Sequence, residues 1–154
     1  MDSRRNGFTM VEMVVTVAIL AIMAAIALPS YTKLIANNRA DSETNDLYQA
    51  LNYTRIEAIN RGLSVRITPA TAGAWTGVLN IALSSGGTTL RVIPGMSSQA
   101  KLAFSTTAAY IEFNNLGGLT FPASALNLTY TQGTVTRSLG VCLNGRIVLS
   151  GTCT

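Results

Sequence analysis

The sequence predicts an α+β protein in which a long N-terminal helix, transmembrane at its start and amphipathic beyond, packs on an antiparallel β-sheet head. Three observations carry that prediction. Phe8 to Leu28 holds 18 apolar residues in 21 positions, broken only by Thr9, Glu12 and Thr16. No glycine occurs from Phe8 to Arg61, whereas residues 62–154 hold 12 in 93 positions. Beyond that boundary the apolar residues alternate along the chain, as they do in half-buried strands.

At 154 residues the chain has room for one domain. Hydrophobic residues make up 48% and charged residues only 12%, about half the ~25% usual in soluble domains, which excludes wholesale disorder. Outside the Phe8–Leu28 block 56 of 133 residues are apolar, an ordinary share, so the high average describes a membrane segment joined to a water-soluble remainder. Histidine is absent and the cysteines are two, Cys142 and Cys153, which removes zinc clusters, Ser-His-Asp and Cys-His catalysis and the usual haem sites. With no G-x-S-x-G, P-loop or metal-ligand spacing either, no catalytic residue, metal ligand or cofactor is assigned.

Twenty-one helical residues rise ~31 Å, against a hydrocarbon thickness of ~30 Å. Arg4 and Arg5 precede the block and no basic cluster closely follows it, so the N-terminus is expected in the cytoplasm and the remainder across the membrane. A cleavable secretory signal fits less well: the run exceeds the ~7–15 residues of a typical apolar core, and no convincing small-x-small site follows it. Glu12 would cost roughly 2.5–3.5 kcal/mol at the bilayer centre and less near an interface. It either reaches water at the cytoplasmic face or awaits a cationic partner within the membrane.

The run Arg4-Arg5-Asn6-Gly7-Phe8-Thr9-Met10-Val11-Glu12 resembles the class III signal of type IV pilins and type II secretion pseudopilins. The resemblance implies that a prepilin peptidase/methyltransferase cuts between Gly7 and Phe8, removes residues 1–7 as a cytoplasmic leader and N-methylates Phe8. Residues 8–28 would then form a single-pass inner-membrane helix with the C-terminus in the periplasm, and later the core of a pilus or pseudopilus. Glu12 corresponds to the family's glutamate at the fifth position of the processed chain, brought towards the amine on Phe8 of a neighbouring subunit. Ala18, Ala21, Ala24, Ala25 and Ala27 keep parts of the helix slim enough for close approach. Pro29 sits where the family often places a helix-bending proline. Subunits at the extreme tip characteristically lack the glutamate, so its presence implies a place below the tip subunit. The implied partners are other minor and major subunits, and the isolated head is not expected to form a stable homo-oligomer.

Residues 29–61 are expected to form the periplasmic half of the helix. Leu47, Tyr48, Leu51, Ala58 and Ile59 recur at helical spacing, Asp41, Glu43, Asp46 and Glu57 lie mostly elsewhere on the surface, and Arg61-Gly62 makes a stop. The acidic residues at 41–46 read as a solvated face rather than a cation site. A helix over residues 8–61 would be ~80 Å long.

Residues 62–154 read as the β-rich head. Leu79, Ile81 and Leu83 alternate, and Gly86-Gly87 turns the chain into Thr88 to Ile93, which predicts a hairpin. Ile111 and Phe113 alternate likewise before Gly117-Gly118. Leu126, Leu128 and Tyr130 share one face, as do Val135, Leu139, Val141 and Leu143, and Asn144-Gly145 marks a further hairpin. Serine and threonine fill 23 of these 93 positions, which suits strands with one wet face.

Two head segments narrow the resemblance. Tyr110-Ile111-Glu112-Phe113-Asn114-Asn115-Leu116-Gly117 resembles the I-x-F-x-x-x-G segment of the GspH/FimT family, and Val141-Cys142-Leu143-Asn144-Gly145-Arg146-Ile147 resembles its C-terminal strand–Gly-Arg element. The implied function is that of a minor pilin near the tip of a type IV pilus, helping to initiate assembly. The alternatives are the type II secretion pseudopilin H and a DNA-binding minor pilin for natural transformation.

Cys142 and Cys153 both lie where a periplasm permits disulfides, and a bond between them would contribute ~3 kcal/mol. A strict hairpin about Asn144-Gly145 sets Cys142 opposite Ile147, so the bond requires either a tail folded back after Ser150-Gly151 or a distorted hairpin; two free thiols are the alternative. The cysteine pair is similar to that of FimU-like type IV minor pilins. Some FimT-like proteins bind DNA through a Gly-Arg-x-Arg element; Gly145 and Arg146 match it, but Val148 replaces the second arginine and removes one phosphate contact. Arg137, expected on an adjacent strand, is the candidate to supply it. Residues 62–154 carry five scattered cations against Glu112 alone, a bias that permits an anionic partner without demanding one.

Overall fold

Without glycine, and with a single proline, residues 8–61 carry little to break a helix. The computed structural model of the chain describes residues 8–153, and over them helix α1 runs Met10–Arg61. Thr9 caps its start reciprocally with Glu12: Thr9 Oγ1 accepts from the Glu12 N–H at 3.2 Å, and the Glu12 carboxylate accepts from the Thr9 N–H at 3.5 Å. At the other end Gly62 takes φ +65°, the Gly62 N–H donates to the Ile59 carbonyl and the Leu63 N–H to the Ala58 carbonyl. These are the paired bonds of a Schellman stop, at the expected Arg61-Gly62 position. The helix continues through Pro29, which has no N–H to offer the Ala25 carbonyl.

The chain divides into two compact units, one ending at Ile35 and one beginning at Ala36. In the first, every residue from Phe8 to Leu34 is exposed, and the helix is long and apolar enough to cross a membrane. In the second, α1 buries Ala40, Thr44, Leu47, Ala50, Leu51, Thr54 and Ala58, each three or four positions from another of the set. The packing stripe thus differs from the one expected: Ile59 is 46% exposed, Tyr48 is half-buried, and alanines and threonines take their place. Small side chains let strands approach the helix closely, and Thr54 hides its hydroxyl by donating to the Ala50 carbonyl at 2.7 Å.

Nine strands follow among the described residues: β1 Val65–Pro69, β2 Leu79–Leu83, β3 Thr89–Ile93, β4 Ala100–Phe104, β5 Ile111–Phe113, β6 Leu119–Phe121, β7 Leu126–Gln132, β8 Val135–Val141 and β9 Ile147–Leu149. They form two antiparallel sheets, in the orders β3-β2-β1-β5-β6 and β4-β7-β8-β9. The expected β2–β3 hairpin is present, with Gly86 and Gly87 at positive φ. Val65, Ile67, Leu79, Ile81, Ile111, Phe113, Leu126, Leu128, Leu139 and Val141 meet Leu47, Leu51 and Ala58 of α1 in one core. Leu143 does not join its expected face; β8 ends at Val141, and Leu143 stands 53% exposed in the following turn.

That turn explains the cysteines. The Gly145 N–H donates to the Cys142 carbonyl at 2.8 Å and the Cys142 N–H to the Arg146 carbonyl at 2.9 Å, so Ile147 pairs with Val141 and not with Cys142. Asn144 keeps a negative φ, since Ser150 is the one non-glycine residue at positive φ among the described residues. The loop is therefore a type I turn followed by left-handed Gly145, one residue longer than the strict two-residue hairpin, and the register moves by one. After β9 the chain reverses at Ser150, φ +56°, whose N–H donates to the Ser138 carbonyl. The tail folds back, and Cys142 and Cys153 are joined with Cα atoms 5.2 Å apart.

Candidate assembly site

The residues expected to serve assembly lie at the start of α1 and are open to solvent. Phe8 is 78% exposed, and Glu12 is exposed one turn further on, its carboxylate turned back to the Thr9 N–H. Gly7, Arg4 and Arg5 lie outside the described residues, so the cleavage expected between Gly7 and Phe8 is described on the Phe8 side alone. Sequence reasoning missed the Thr9-x-x-Glu12 cap, although the capping-box spacing is present in the chain. The carboxylate thus offsets the partial positive charge of its own helix terminus while staying open to an external cation.

Further along α1, Asp41 and Glu43 hold the helix to the head, which corrects the expectation of a solvated face for these two, while Asp46 is exposed as expected. Arg137 on β8 donates through Nε to Asp41 at 2.6 Å and through its second arm to Asn37 Oδ1 at 3.3 Å. That bond holds the Asp41 carboxyl below the usual carboxylate range and raises the Arg137 guanidinium in turn. Glu43 accepts from the Ser97 N–H at 2.9 Å and from the Tyr130 hydroxyl at 2.7 Å. Burial first, and Glu43 second, push the Tyr130 phenol well above its ordinary range. A phenol that ionises more readily unfolded than folded gives stability that is complete below about pH 10 and lost as pH rises beyond it. Alkaline titration should therefore weaken the head above about pH 10, and Tyr130→Phe should flatten that slope while costing about 1.5–3 kcal/mol at neutral pH for the lost bond to a charged acceptor, as read by thermal unfolding.

Arg137 is consequently not available to stand in for the second arginine of a Gly-Arg-x-Arg element. It lies on β8 itself, at the end away from the β8–β9 loop that carries Arg146, about 17 Å along the strand at ~3.4 Å per residue. Arg146 is exposed and has no side-chain hydrogen-bond partner among the described residues.

The two motif segments of the head meet at a residue the sequence did not single out. Arg55, on α1, donates through Nε to the Gly117 carbonyl at 2.9 Å and reaches the Asn144 carbonyl at 3.5 Å. A Cβ on Gly145 would overlap the Gly117 oxygen, and one on Gly117 would press on Ile59 Cδ1 at 2.6 Å. Both glycines sit at positive φ. The glycine of each motif is thus spent on close packing around one helix arginine. The nearest signal in the chain is the position of Arg55 one turn after Leu51 on the packing half of α1.

Comparison with known proteins agrees with this architecture. A family profile described as "Type II transport protein GspH" matches residues 43–146, and one described as "Prokaryotic N-terminal methylation motif" matches residues 2–28. "Type IV major fimbrial protein FimA" of Dichelobacter nodosus is 43% identical over 54 residues, 33% of this chain and 35% of that protein. The chain thus spans about a third of the length of the curated relatives it matches. The crystal structure of the type IV minor pilin FimU of Pseudomonas aeruginosa superposes with a TM-score of 0.66 at 24% identity, over 75% of this chain and 90% of that one. The minor pseudopilin EpsH of the Vibrio cholerae type 2 secretion system superposes with a TM-score of 0.56 at 16% identity, over 72% and 95%. At these identities the two solved structures speak for a shared fold: one long helix packed on two antiparallel sheets. The profile match covers about two thirds of the chain and includes both the helix segment that bears Arg55 and the two glycine-centred turns around it; the chain belongs to the GspH family of pilin and pseudopilin subunits.

Proposed function

We propose that this chain is a minor subunit that assembles near the tip of a type IV pilus, below the subunit at the extreme tip, and helps to initiate the filament through contacts with other minor subunits. The observation that carries the reading is the union, in one chain, of an N-terminal methylation motif with Glu12 on an exposed apolar helix and a GspH-type head. In this reading residues 1–7 are removed by the prepilin peptidase, Phe8 becomes the methylated terminus, and residues 8–28 leave the bilayer for a bundle of like helices. Glu12 of one subunit there meets the Phe8 amine of another, a pairing that offsets a burial cost neither charge would bear alone. The relatives named as type IV fimbrial proteins favour a pilus, while the GspH description keeps type II secretion as the second reading.

Mass spectrometry of sheared filaments tests the proposal. The chain should be recovered in small amounts beside the major subunit, beginning at N-methylated Phe8. Recovery solely from membranes, with residues 1–7 still attached, would overturn it. Deleting the gene should lower pilus number and leave protein secretion intact; the reverse result assigns the chain to a secretion pseudopilus.

A further inference from the structure

Two turns of the head present leucine side chains to solvent on backbones that are held fixed. Leu116, between β5 and β6, is 83% exposed, and Leu143, between β8 and β9, is 53% exposed. Asn114 Oδ1 braces the first turn by accepting from the Leu116 and Gly118 N–H groups at 3.0 and 2.9 Å. Asn144 Oδ1 braces the second by accepting from the Arg146 N–H at 3.0 Å. The turns are also joined to each other, for the Leu119 N–H donates to the Leu143 carbonyl at 2.9 Å and Arg55 bonds a carbonyl in each. Apolar tips on a pre-set backbone lose little freedom when they are buried by a partner.

Arg146 adds a charge to this surface. Glu112, the sole acid of residues 62–154, is bonded to Ser84 Oγ at 2.6 Å. On α1, Asp41 is held by Arg137, Glu43 by Ser97 and Tyr130, and Glu57 by Arg61, while Asp46 and Glu12 are exposed; none of the described carboxylates pairs with Arg146. The exposed guanidinium therefore complements a carboxylate outside the chain.

We propose that Leu116, Leu143 and Arg146 form one docking surface for a different pilin-like subunit, which offers an apolar depression with a carboxylate on its rim. The proposal rests on the filament-subunit reading above and goes beyond it by assigning the contact face. A protein partner fits better than a nucleic acid, because Arg146, the exposed cation of these turns, neutralises one phosphate, and affinity for nucleic acid grows with several. A pilin-like partner follows from the family, whose members are pilus and pseudopilus subunits.

The test uses the full-length chain in its own cells, with a photo-crosslinking amino acid at position 116, 143 or 92. Val92 is a control, exposed on β3 at the sheet edge opposite β6. Positions 116 and 143 should crosslink to another pilin-like subunit and position 92 should not. Arg146→Glu should lower the yield about tenfold and Arg146→Lys should retain most of it, with the Cys142–Cys153 bond intact in both as a check on folding. Crosslinks from 92 to pilin subunits without any from 116 and 143 would overturn the surface while leaving the filament reading in place. Crosslinks to a second copy of the chain or to DNA would overturn the stated partner. A chain absent from filaments altogether counts against the filament reading, and this proposal falls with it.

Discussion

Replacing Glu12 by Ala is expected to lower incorporation into filaments by on the order of a hundredfold, with the chain still inserted in the membrane. The magnitude follows from the roughly 2.5–3.5 kcal/mol that an unpaired charge costs in an apolar bundle, here the stranded amine on Phe8 of the neighbouring subunit. Glu12 also closes a capping box with Thr9, so the Ala variant loses part of a helix cap as well, an effect limited to about 0.5–2 kcal/mol. Glu12→Gln separates the two roles, since its side-chain carbonyl still accepts from the Thr9 N–H but carries no charge. If charge pairing drives assembly, Gln behaves nearly as badly as Ala; if capping is the whole role, Gln behaves as the parent chain. Incorporation of the Ala variant at the parent level, measured by immunoblotting sheared filaments, would sink the assembly role of Glu12.

The outcome at Glu12 bears on why the N-terminal half was legible and parts of the head were not. A membrane helix declares itself through length and apolar content because its partner is the solvent, and no distant residue is needed to read it. Strands such as Ile111–Phe113 and Leu126–Gln132 declare themselves by period, because one face meets the core. Period reports the side of an element on which a residue stands, not the identity of what it meets. Asp41 and Glu43 therefore read as solvated, although their partners Arg137, Ser97 and Tyr130 lie 54 to 96 positions away in sequence. Arg55 was missed for the same reason, its carbonyl acceptors being 62 and 89 positions distant. At Asn144-Gly145 the difficulty was local: one dipeptide serves two turn geometries, and the φ of Asn144 chooses between them. Closing the disulfide also needed the reversal at Ser150, a residue type that gives little sign of a left-handed backbone.

Gly145→Ala is expected to destabilise the head by roughly 3 kcal/mol or more, whereas Gly62→Ala should cost about 1–2 kcal/mol. Both glycines sit in the left-handed region, at φ +76° and +65°, so the conformational cost of a Cβ is common to them. The difference is space. A Cβ on Gly62 meets nothing within 4 Å, while one on Gly145 overlaps the Gly117 carbonyl oxygen and lies 2.8 Å from Arg55 Nε. Neither neighbour can retreat freely, because that oxygen is the acceptor for Arg55 Nε, and separating them forfeits a charge-assisted bond worth about 1.5–3 kcal/mol. In thermal unfolding of the full chain in detergent, the Gly145 variant should melt about 10 °C below the parent. Arg55→Ala should cost less in the Gly145→Ala background than alone, since the bond it removes is already broken. Equal melting points for the Gly145 and Gly62 variants would show that the approach to Gly117 is not tight. The Gly-Arg pair then divides into two roles within adjacent residues. Gly145 is required by the packing of the fold, and changing it lowers stability first and every head contact as a consequence. Arg146, exposed beside it, should leave the melting point unchanged and alter partner contact alone.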